Sequence, residues 1–366
     1  MKVCHITSAH STNDIRIFYK QCRSLANANY ETYLLSRSNE YFTDDKVKIV
    51  QIDKSKNRLE RMLTSNHILL KEALKIDADV YQAHDPELLP LLNKLQKKGK
   101  KVVFDFHEDF SEQLKKKTYL LKPLRAPISL AYSFYERSTV KKMNGIITAT
   151  PFLKDKFLKY NKNTVNINNY PLLNEFKKAP VDVRDKLNKI IYVGGLSSSR
   201  GIFTMIELAK KRPEYDFFFC GKFHNKDEEI KIKKIATKNC IFTGQLSREE
   251  VVNHIYSSKI GLVLLNPLER FKVSLPIKLF EYMAAGLPVL ASNFKLWEEI
   301  VTDNHCGFNE NPQDIEILID KIDTLITDEE LNRQMGYEGR NKVFNNYNWK
   351  NEENDLLEFY TKMGES

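Results

Sequence analysis

Short apolar runs alternate with longer amphipathic stretches along the first half of the chain. The runs hold mostly β-branched and aromatic residues, a composition that favours strands. The predicted strands are 2–7, 31–35, 47–52, 80–83, 101–106, 145–148 and 164–167. The stretches between them place apolar residues at helical spacing, so strand and helix alternate. This order predicts a parallel, doubly wound sheet.

The same alternation begins again after Lys189. Here the predicted strands are 190–193, 216–220, 241–243, 260–265 and 289–291. The stretch 172–189 is polar and mixed in charge, which indicates a seam between domains. A chain of 366 residues is long enough for two domains with separate cores. The predicted fold class is therefore α/β, with two Rossmann-like, doubly wound parallel-sheet domains.

Cysteine usage and hydropathy restrict the class of protein. The five cysteines are widely spaced without a C-x-x-C pair, which fits neither a disulfide framework nor a zinc knuckle. No apolar run approaches the roughly 20 residues of a membrane span, and the first residues lack the apolar stretch of a signal peptide. We expect reduced thiols in a cytoplasmic protein.

The basic balance of the chain, a formal net charge of +9, favours anionic partners. The densest basic cluster runs from Lys115 to Arg125, where Tyr119, Leu120 and Leu121 stand beside the cations. This mixture suits docking on anionic lipid headgroups at the inner face of the cell membrane, and a solvated basic loop is the alternative. No recognition motif or aromatic platform accompanies the lysines, so nucleic acid is not an expected partner.

A glycine-rich turn follows the first strand of the second domain. It carries Gly194, Gly195 and Gly201, with Arg200 at the predicted start of a helix. Glycines let the backbone approach a phosphate closely, the helix start offers N–H donors, and an arginine binds oxyanions bidentately. The turn predicts an anion site, although the dinucleotide fingerprint G-x-G-x-x-G is absent.

A second candidate anion site lies at the start of a later helix. Ser274 is the predicted N-cap, Pro276 suits the first turn, and Gly286 marks the helix end. Lys278 falls in the first turn, where the helix dipole disfavours a cation, and this indicates a bound anion. The alternative is a local surface pair between Lys278 and Glu281.

Acidic residues and a histidine crowd the end of the strand 101–106. Asp105, His107, Glu108 and Asp109 have the side chains of metal ligands. They share a single strand end without a second partner cluster, so no metal site is predicted.

Several of these segments resemble retaining glycosyltransferases of family 4. The resemblance is carried by 275–292, by the opening stretch 7–20, by 105–108, by 169–171 and by 347–349, and it covers essentially the whole chain. It implies a GT-B fold, in which two Rossmann-like domains face each other across a cleft. The domains are then 1–172, with a C-terminal helix of about 347–366 packing back on it, and 186–346.

The family pattern assigns roles to individual positions. Glu281 matches the second glutamate of the E-x7-E motif, which bonds the donor ribose, whereas Val273 stands in place of the first. The paired arginine and lysine on the diphosphate correspond to Gly195 and Arg200, so only one of two cations is kept. We expect Lys278 to supply the missing charge.

The resemblance implies that His107 lies near the anomeric centre of the donor sugar, and the expected site residues form three sets. The catalytic group is His107, Arg200 and Lys278. The donor-binding positions are Gly194, Gly195, Arg200, Gly221, Lys222, Gly244, Gln245, Leu246, Ser274, Leu275, Pro276, Ile277, Lys278, Leu279 and Glu281. The acceptor side comprises His10, Asp14, Arg16, Lys20, His84 and Glu108. A structural role competes for His84, and an N-cap or helix-surface role competes for Asp14 and Lys20.

The resulting expectation is a metal-independent transferase that uses no cofactor. It would move a sugar with retention from a nucleotide-sugar donor, UDP- or GDP-linked, to a hydroxyl of a glycan or lipid-linked acceptor in cell-surface polysaccharide or glycoconjugate synthesis. Two alternatives stay open, a sugar-nucleotide epimerase of similar fold and a noncatalytic nucleotide or sugar binder.

Overall fold

The structure, a computed structural model, describes residues 1–38, 42–53, 55, 57–115, 121–178, 182, 186 and 188–365, without the side chains of 58, 59, 62 and 63. The chain divides into two compact units. Unit 1 comprises Met1–Asn169 and Asn351–Ser366, and unit 2 comprises Tyr170–Lys350. The first domain was expected to end at residue 172 and the second to begin at 186. In the structure unit 1 ends at Asn169, and the segment that follows belongs to unit 2.

Among the described residues, unit 1 contains one parallel sheet of seven strands in the order β3-β2-β1-β4-β5-β6-β7. The strands are β1 (Lys2–Thr7), β2 (Glu31–Arg37), β3 (Lys48–Ile52), β4 (Val80–Ala83), β5 (Lys101–Phe106), β6 (Gly145–Thr148) and β7 (Thr164–Asn166). The helices are α1 (Arg23–Asn27), α2 (Arg58–Ile76), α3 (Leu89–Gln96), α4 (Phe110–Leu114), α5 (Lys122–Val140) and α6 (Pro151–Leu158), and a π-helical segment (Ile15–Cys22) precedes α1. The order reverses between β1 and β4, which creates a switch point at their carboxyl ends.

Unit 2 repeats this plan, with six parallel strands in the order β10-β9-β8-β11-β12-β13 among the described residues. The strands are β8 (Lys189–Val193), β9 (Asp216–Cys220), β10 (Cys240–Gly244), β11 (Ile260–Val263), β12 (Val289–Ser292) and β13 (Gly307–Glu310). The helices are α7 (Ile202–Lys211), α8 (Lys226–Ile235), α9 (Arg248–Tyr256), α10 (Glu269–Lys272), α11 (Ile277–Ala284), α12 (Lys295–Glu298), α13 (Ile315–Thr327) and α14 (Glu329–Asn345). Its switch point lies between β8 and β11.

The predicted fold class is confirmed. The burial of the central strands explains why it could be predicted from the sequence. Central strands such as β4, β6 and β11 are buried along their full length, because helices cover both faces of each sheet. Strand β13 was not predicted, and its residues Gly307–Glu310 include a glycine, an asparagine and a glutamate. An edge strand with such polar residues lacks the apolar run that marks the others.

The last helix, α15 (Trp349–Glu365), returns the end of the chain to unit 1. The Phe359 ring occupies the space beside Gly145, where an added Cβ would lie 2.4 Å from a ring carbon. Lys101 Nζ donates to the Met363 carbonyl oxygen at 2.6 Å. A side chain at position 145 would therefore require the Phe359 ring to move.

No helix in the described ranges is both long enough and apolar enough to span a bilayer. Part of the basic cluster from Lys115 to Arg125, residues 116–120, lies outside the described residues.

Candidate functional site

Two glycine turns pack against each other at the carboxyl ends of β8 and β9. Gly194 follows β8 with φ of +128°, and Gly221 follows β9. An added Cβ at Gly221 would lie 2.0 Å from the Gly194 carbonyl oxygen, so the approach requires glycine. The Gly194 N–H donates to the Cys220 carbonyl oxygen at 2.9 Å. The turn expected to bind an anion is thus held rigidly at the switch-point end of the sheet.

Two cations converge on this turn. A Cβ built at Gly194 would lie 3.2 Å from Lys278 Nζ and 3.6 Å from Arg200 Nη1. Arg200 ends a short 3-10 segment (Ser198–Arg200), and Lys278 is in the first turn of α11. The two predicted cations are therefore close enough to contact a single anionic group.

Lys278 is a buried amine without a hydrogen-bond partner among the described residues. Its Nζ lies 3.7 Å from the centroid of the Tyr192 ring. Burial lowers the pKa of Lys278 well below its usual value, the charge of Arg200 lowers it further, and Glu281 opposes the shift. The local pair with Glu281 considered above does not form, which leaves the amine available to a ligand.

Glu281 is buried and has Arg248 as its partner. Arg248 Nη2 lies 2.6 Å from Glu281 Oε1, an ion-pair distance without hydrogen-bond alignment at that oxygen. The same guanidinium donates to both carboxylate oxygens of Glu175, at 3.1 and 2.7 Å. Burial opposes the charge on Arg248, but the two carboxylates outweigh this and raise its pKa. Arg248 thereby fixes the residue expected to bond the ribose.

The start of α11 differs from the prediction at two residues, Ser274 and Pro276. Ser274 is not the N-cap, because its hydroxyl donates to the Phe271 carbonyl oxygen at 2.9 Å and closes the turn after α10. Pro276 is the N-cap residue and provides no capping side chain. The carbonyl oxygen of Ser274 accepts a hydrogen bond from Trp297 Nε1 at 2.7 Å. Gly286, with φ of +72°, follows the end of the helix as predicted.

The remaining donor positions lie around the same strand ends. Gly221 and Gly244 form an isolated backbone bridge, and the Lys222 carbonyl oxygen accepts from the Leu196 N–H at 2.9 Å. The side chains of Lys222 and Gln245 are exposed. Leu246 and Leu275 pack on the core, Leu279 is fully buried within it, and Ile277 is half-buried. These three leucines therefore support the candidate donor site from its core side.

In unit 1, Asp105 at the end of β5 collects several polar side chains. Arg16 donates to both carboxylate oxygens, Nη2 to Oδ1 at 2.7 Å and Nε to Oδ2 at 3.0 Å. Gln21 Nε2 donates to Oδ2 at 2.7 Å, and His107 Nε2 lies 3.0 Å from the same oxygen. Burial raises the pKa of Asp105, but the charges of Arg16 and His107 outweigh it and hold the pKa well below its usual value. Asp105 is thus a carboxylate that orients His107.

Two further histidines extend this cluster inward. His84 Nδ1 lies 3.3 Å from Asp105 Oδ2, and its Nε2 lies 3.1 Å from Nδ1 of His5. Burial lowers the pKa of both His84 and His5, so the uncharged imidazole is favoured at each. His84 is buried, as the structural alternative for this residue required, whereas His107 is half-buried and open to a ligand.

Two further carboxylates, one from the loop after β1 and one from the loop after β4, flank a histidine. His10 lies between Asp14 and Asp85, with Nδ1 3.6 Å from Asp14 Oδ2 and Nε2 3.4 Å from Asp85 Oδ1. Burial lowers the pKa of His10, but the Asp14 hydrogen bond and nearby carboxylates together raise it. Asp14 also caps the following π-helical segment through the N–H groups of Arg16 and Ile17. The N-cap role considered for Asp14 is therefore real.

The other acceptor-side positions divide between interior and surface. Arg16 is buried and also donates to the Ile167 carbonyl oxygen at 2.8 Å. Lys20 is fully buried and donates to Asn169 Oδ1 at 2.6 Å, which excludes the helix-surface role. Glu108 is exposed.

The ligand atoms of His84, Asp105 and His107 lie within 4.8 Å of one another, a spacing that one metal ion could bridge. However, Arg16 already binds both oxygens of Asp105, and its positive charge opposes a second cation there. The arrangement favours imidazoles held by a carboxylate. Asp109, also considered above, caps α4 and pairs with Lys156 at 2.8 Å.

Several residues of both clusters were not predicted from the sequence. Arg248, Glu175 and Tyr192 surround the predicted donor residues, and Gln21 contacts Asp105. Arg248 follows Ser247, whose capping box with Glu250 marked a helix start but gave no sign of a partner at Glu281. Tyr192 was predicted only as a residue of the strand 190–193.

Comparisons with known proteins agree with this architecture. Residues 174–342 match the family described as "Glycosyl transferases group 1", and residues 16–167 match "Glycosyltransferase Family 4". The sulfoquinovosyl transferase SQD2 of Arabidopsis thaliana is 28% identical over 165 residues, 44% of this chain and 31% of that protein. The matched segments of two further curated relatives span 26% and 54% of their own lengths.

Solved structures resemble the whole chain. Sucrose-phosphate synthase from Thermosynechococcus elongatus has a TM-score of 0.78 at 16% identity, covering 99% of this chain and 98% of that one. Anabaena HepE in complex with UDP-glucose has a TM-score of 0.74 at 13% identity, covering 99% and 100%. These likenesses confirm the GT-B fold class. The family matches over both units show that the chain belongs to glycosyltransferase family 4.

Proposed function

We propose that this protein is a retaining, metal-independent glycosyltransferase. It moves a sugar from a nucleotide-sugar donor to a hydroxyl of a glycan or lipid-linked acceptor, in the synthesis of a cell-surface polysaccharide or glycoconjugate. No cofactor takes part, and the nucleotide sugar is a co-substrate. HepE has been solved with UDP-glucose, which favours a UDP-linked donor over a GDP-linked one for the first assay.

The buried amine of Lys278 is the observation that carries this proposal. A protein normally pairs a buried charge, because an unpaired one loses its hydration without compensation. Lys278 instead stands without a hydrogen-bond partner among the described residues and faces the Gly194 turn beside Arg200. A diphosphate on this turn would neutralise both cations, and Glu281 would bond the ribose attached to it.

The chemical difficulty of the reaction is the negative charge that grows on the leaving nucleoside diphosphate. Arg200, Lys278 and the backbone N–H groups of the turn are fixed before reaction, so they stabilise this charge without reorganisation. The acceptor oxygen bonds to the anomeric carbon as the bond from that carbon to the phosphate oxygen breaks. The departing phosphate oxygen takes the hydroxyl proton, which balances the transfer. On the acceptor-side unit, Asp105 fixes the ring of His107 for contact with the sugar.

Thermal denaturation with UDP-, GDP-, ADP- and CMP-sugars tests donor binding, because a ligand that binds only the folded state stabilises it. We expect one nucleotide class to raise the Tm and Lys278→Ala to remove the rise. Lys272→Ala is the matched control, since Lys272 is exposed and pairs with Glu269 on α10. A Lys278→Ala variant with unchanged donor binding and turnover would refute the assignment.

A product assay separates transfer from the alternatives. Release of free nucleoside diphosphate that depends on added acceptor indicates a transferase. An epimerase converts the nucleotide sugar without acceptor, and a noncatalytic binder leaves it unchanged. Either of these results would overturn the proposed reaction.

We also propose that α5 docks on an anionic lipid surface, which would bring the enzyme to a lipid-linked acceptor. Leu124, Leu130 and Phe134 are 48%, 60% and 61% exposed along this helix. Basic side chains stand at both ends of this helix, with Lys122 and Arg125 at its start and Arg137 in its last turn. Such a mixture of apolar and cationic positions favours an interfacial helix.

Vesicle sedimentation tests the lipid contact. We expect binding to vesicles with phosphatidylglycerol, little binding to pure phosphatidylcholine, and loss of binding in the double variant Leu130→Glu with Phe134→Glu. Ile230→Glu is the control, because Ile230 is an equally exposed apolar residue on α8. Equal binding by the double variant and the control would exclude α5 as the docking surface.

A further inference from the structure

The side-chain space of Gly195 is filled by a histidine from another loop. A Cβ built at Gly195 would lie 2.2 Å from Nε2 of His224, with the neighbouring ring carbons at 3.0 and 3.2 Å. Gly195 is not in the left-handed region, so its backbone would accept other residues. The imidazole, and not the conformation of the chain, is what a side chain at this position would meet.

Backbone pairing holds the two loops in this relationship. The loop after β8 and the loop after β9 form a bridge between Leu196 and Phe223, next to His224. Helix α8 begins directly afterwards, and the Ser198 N–H donates to Glu228 in its first turn. His224 is therefore fixed between a bridge and a helix start, with its ring directed to the glycine turn.

Three nitrogen groups from separate segments thus approach adjacent residues of one turn. Lys278 Nζ and Arg200 Nη1 approach Gly194, and His224 Nε2 approaches Gly195. The first two carry the diphosphate in the proposed function. His224 is exposed, so its ring nitrogen is accessible from solvent. A ligand bound on the Gly194–Gly195 backbone would lie beside all three nitrogen groups.

We infer that His224 is a further binding residue for the donor, which donates a hydrogen bond from Nε2 to a diphosphate oxygen. This inference rests on the proposed function. A lone imidazole at a loop would be unremarkable, but this one takes the place of a side chain at the anion turn itself. An imidazole N–H suits the task because a hydrogen bond to a charged oxygen is stronger than one to a neutral group.

The test uses the nucleoside diphosphate that stabilises the wild-type protein, together with its nucleoside. Calorimetric titration of His224→Ala should show about tenfold weaker binding of the diphosphate, as loss of one charged hydrogen bond predicts. Binding of the nucleoside, which has no phosphate, should be unchanged. Lys231→Ala is the control, because Lys231 is an exposed cation farther along α8.

An exchange variant provides the second arm. In His224→Ala with Gly195→Arg, the vacated space receives a cation from the opposite loop, and diphosphate affinity should recover relative to His224→Ala. Equal diphosphate binding by wild type and His224→Ala, or equal weakening of nucleoside and diphosphate, would overturn the inference. Absence of nucleotide binding by the wild type would instead refute the proposed function, so the two failures are distinguishable.

Discussion

The Nζ of Lys278 lies 3.7 Å from the centroid of the Tyr192 ring, inside unit 2 and without a hydrogen-bond partner among the described residues. The ring face attracts a cation, but it replaces only part of the hydration that burial removes. Tyr192 itself is held, because its hydroxyl donates to the Gly195 carbonyl oxygen at 3.0 Å. The buried Lys278 amine therefore lowers the stability of the ligand-free protein at the place where an anion is expected to bind.

Lys278→Met should stabilise the ligand-free protein by about 1 kcal/mol or more, since an apolar side chain of similar length no longer buries a charge. The pKa of Lys278 is lower in the folded chain, so the penalty is present at low pH and fades as pH rises toward 10.5. Urea unfolding at several pH values measures this gain. A less stable Lys278→Met protein at neutral pH would contradict the argument.

Diphosphate binding should be accompanied by proton uptake. A bound anion raises the lowered pKa of Lys278 again, so between that value and 10.5 the complex holds more protons than the free protein. Titration calorimetry in buffers with different ionisation enthalpies measures the uptake. Lys278→Met should show none from this group, and a buffer-independent wild-type enthalpy over the whole range would exclude Lys278 as its source.

Asp105→Asn should destabilise unit 1 by about 3–5 kcal/mol, because it leaves the buried Arg16 without its carboxylate. The pKa of Asp105 is lowered in the folded chain, so its contribution is present above 3.8 and is lost as pH falls through the lowered value. Chemical unfolding should thus show a difference at neutral pH that shrinks in acid. The surface variant Asp320→Asn is the control, and equal stability of the two variants would contradict the prediction.

Tyr360→Phe should weaken the link between the C-terminal helix and His107. The Tyr360 hydroxyl donates to Gln82, Gln82 donates to Gln21, and Gln21 donates to Asp105, at 2.5, 2.5 and 2.7 Å. Loss of the hydroxyl leaves a buried acceptor on Gln82 and should cost about 1–3 kcal/mol.

The same variant should lower kcat more than it raises the KM for the donor, because the chain orients Asp105 and, through it, His107. Unfolding and steady-state kinetics measure both effects. Tyr337→Phe is the matched control, since Tyr337 is 60% exposed on α14. A Tyr360→Phe protein that matches this control in both measurements would exclude the link.

The sequence by itself determined the two doubly wound sheets, because apolar runs and amphipathic stretches are local properties of the chain. It also placed Lys278 in a first helical turn and Gly194 in a turn after a strand, since helix and strand signals act over a few residues. The edge strand β13 was not predicted, because its polar residues do not form an apolar run.

Only the tertiary structure decided which side chains meet. Glu281 pairs with Arg248 instead of Lys278, His224 fills the space at Gly195, and Tyr360 bonds Gln82 across 278 positions of the chain. Such contacts depend on how loops from separate strands converge at the end of a sheet. The spacing of apolar residues within one segment does not specify which residue of another segment it will contact. These contacts are therefore visible only in the tertiary structure.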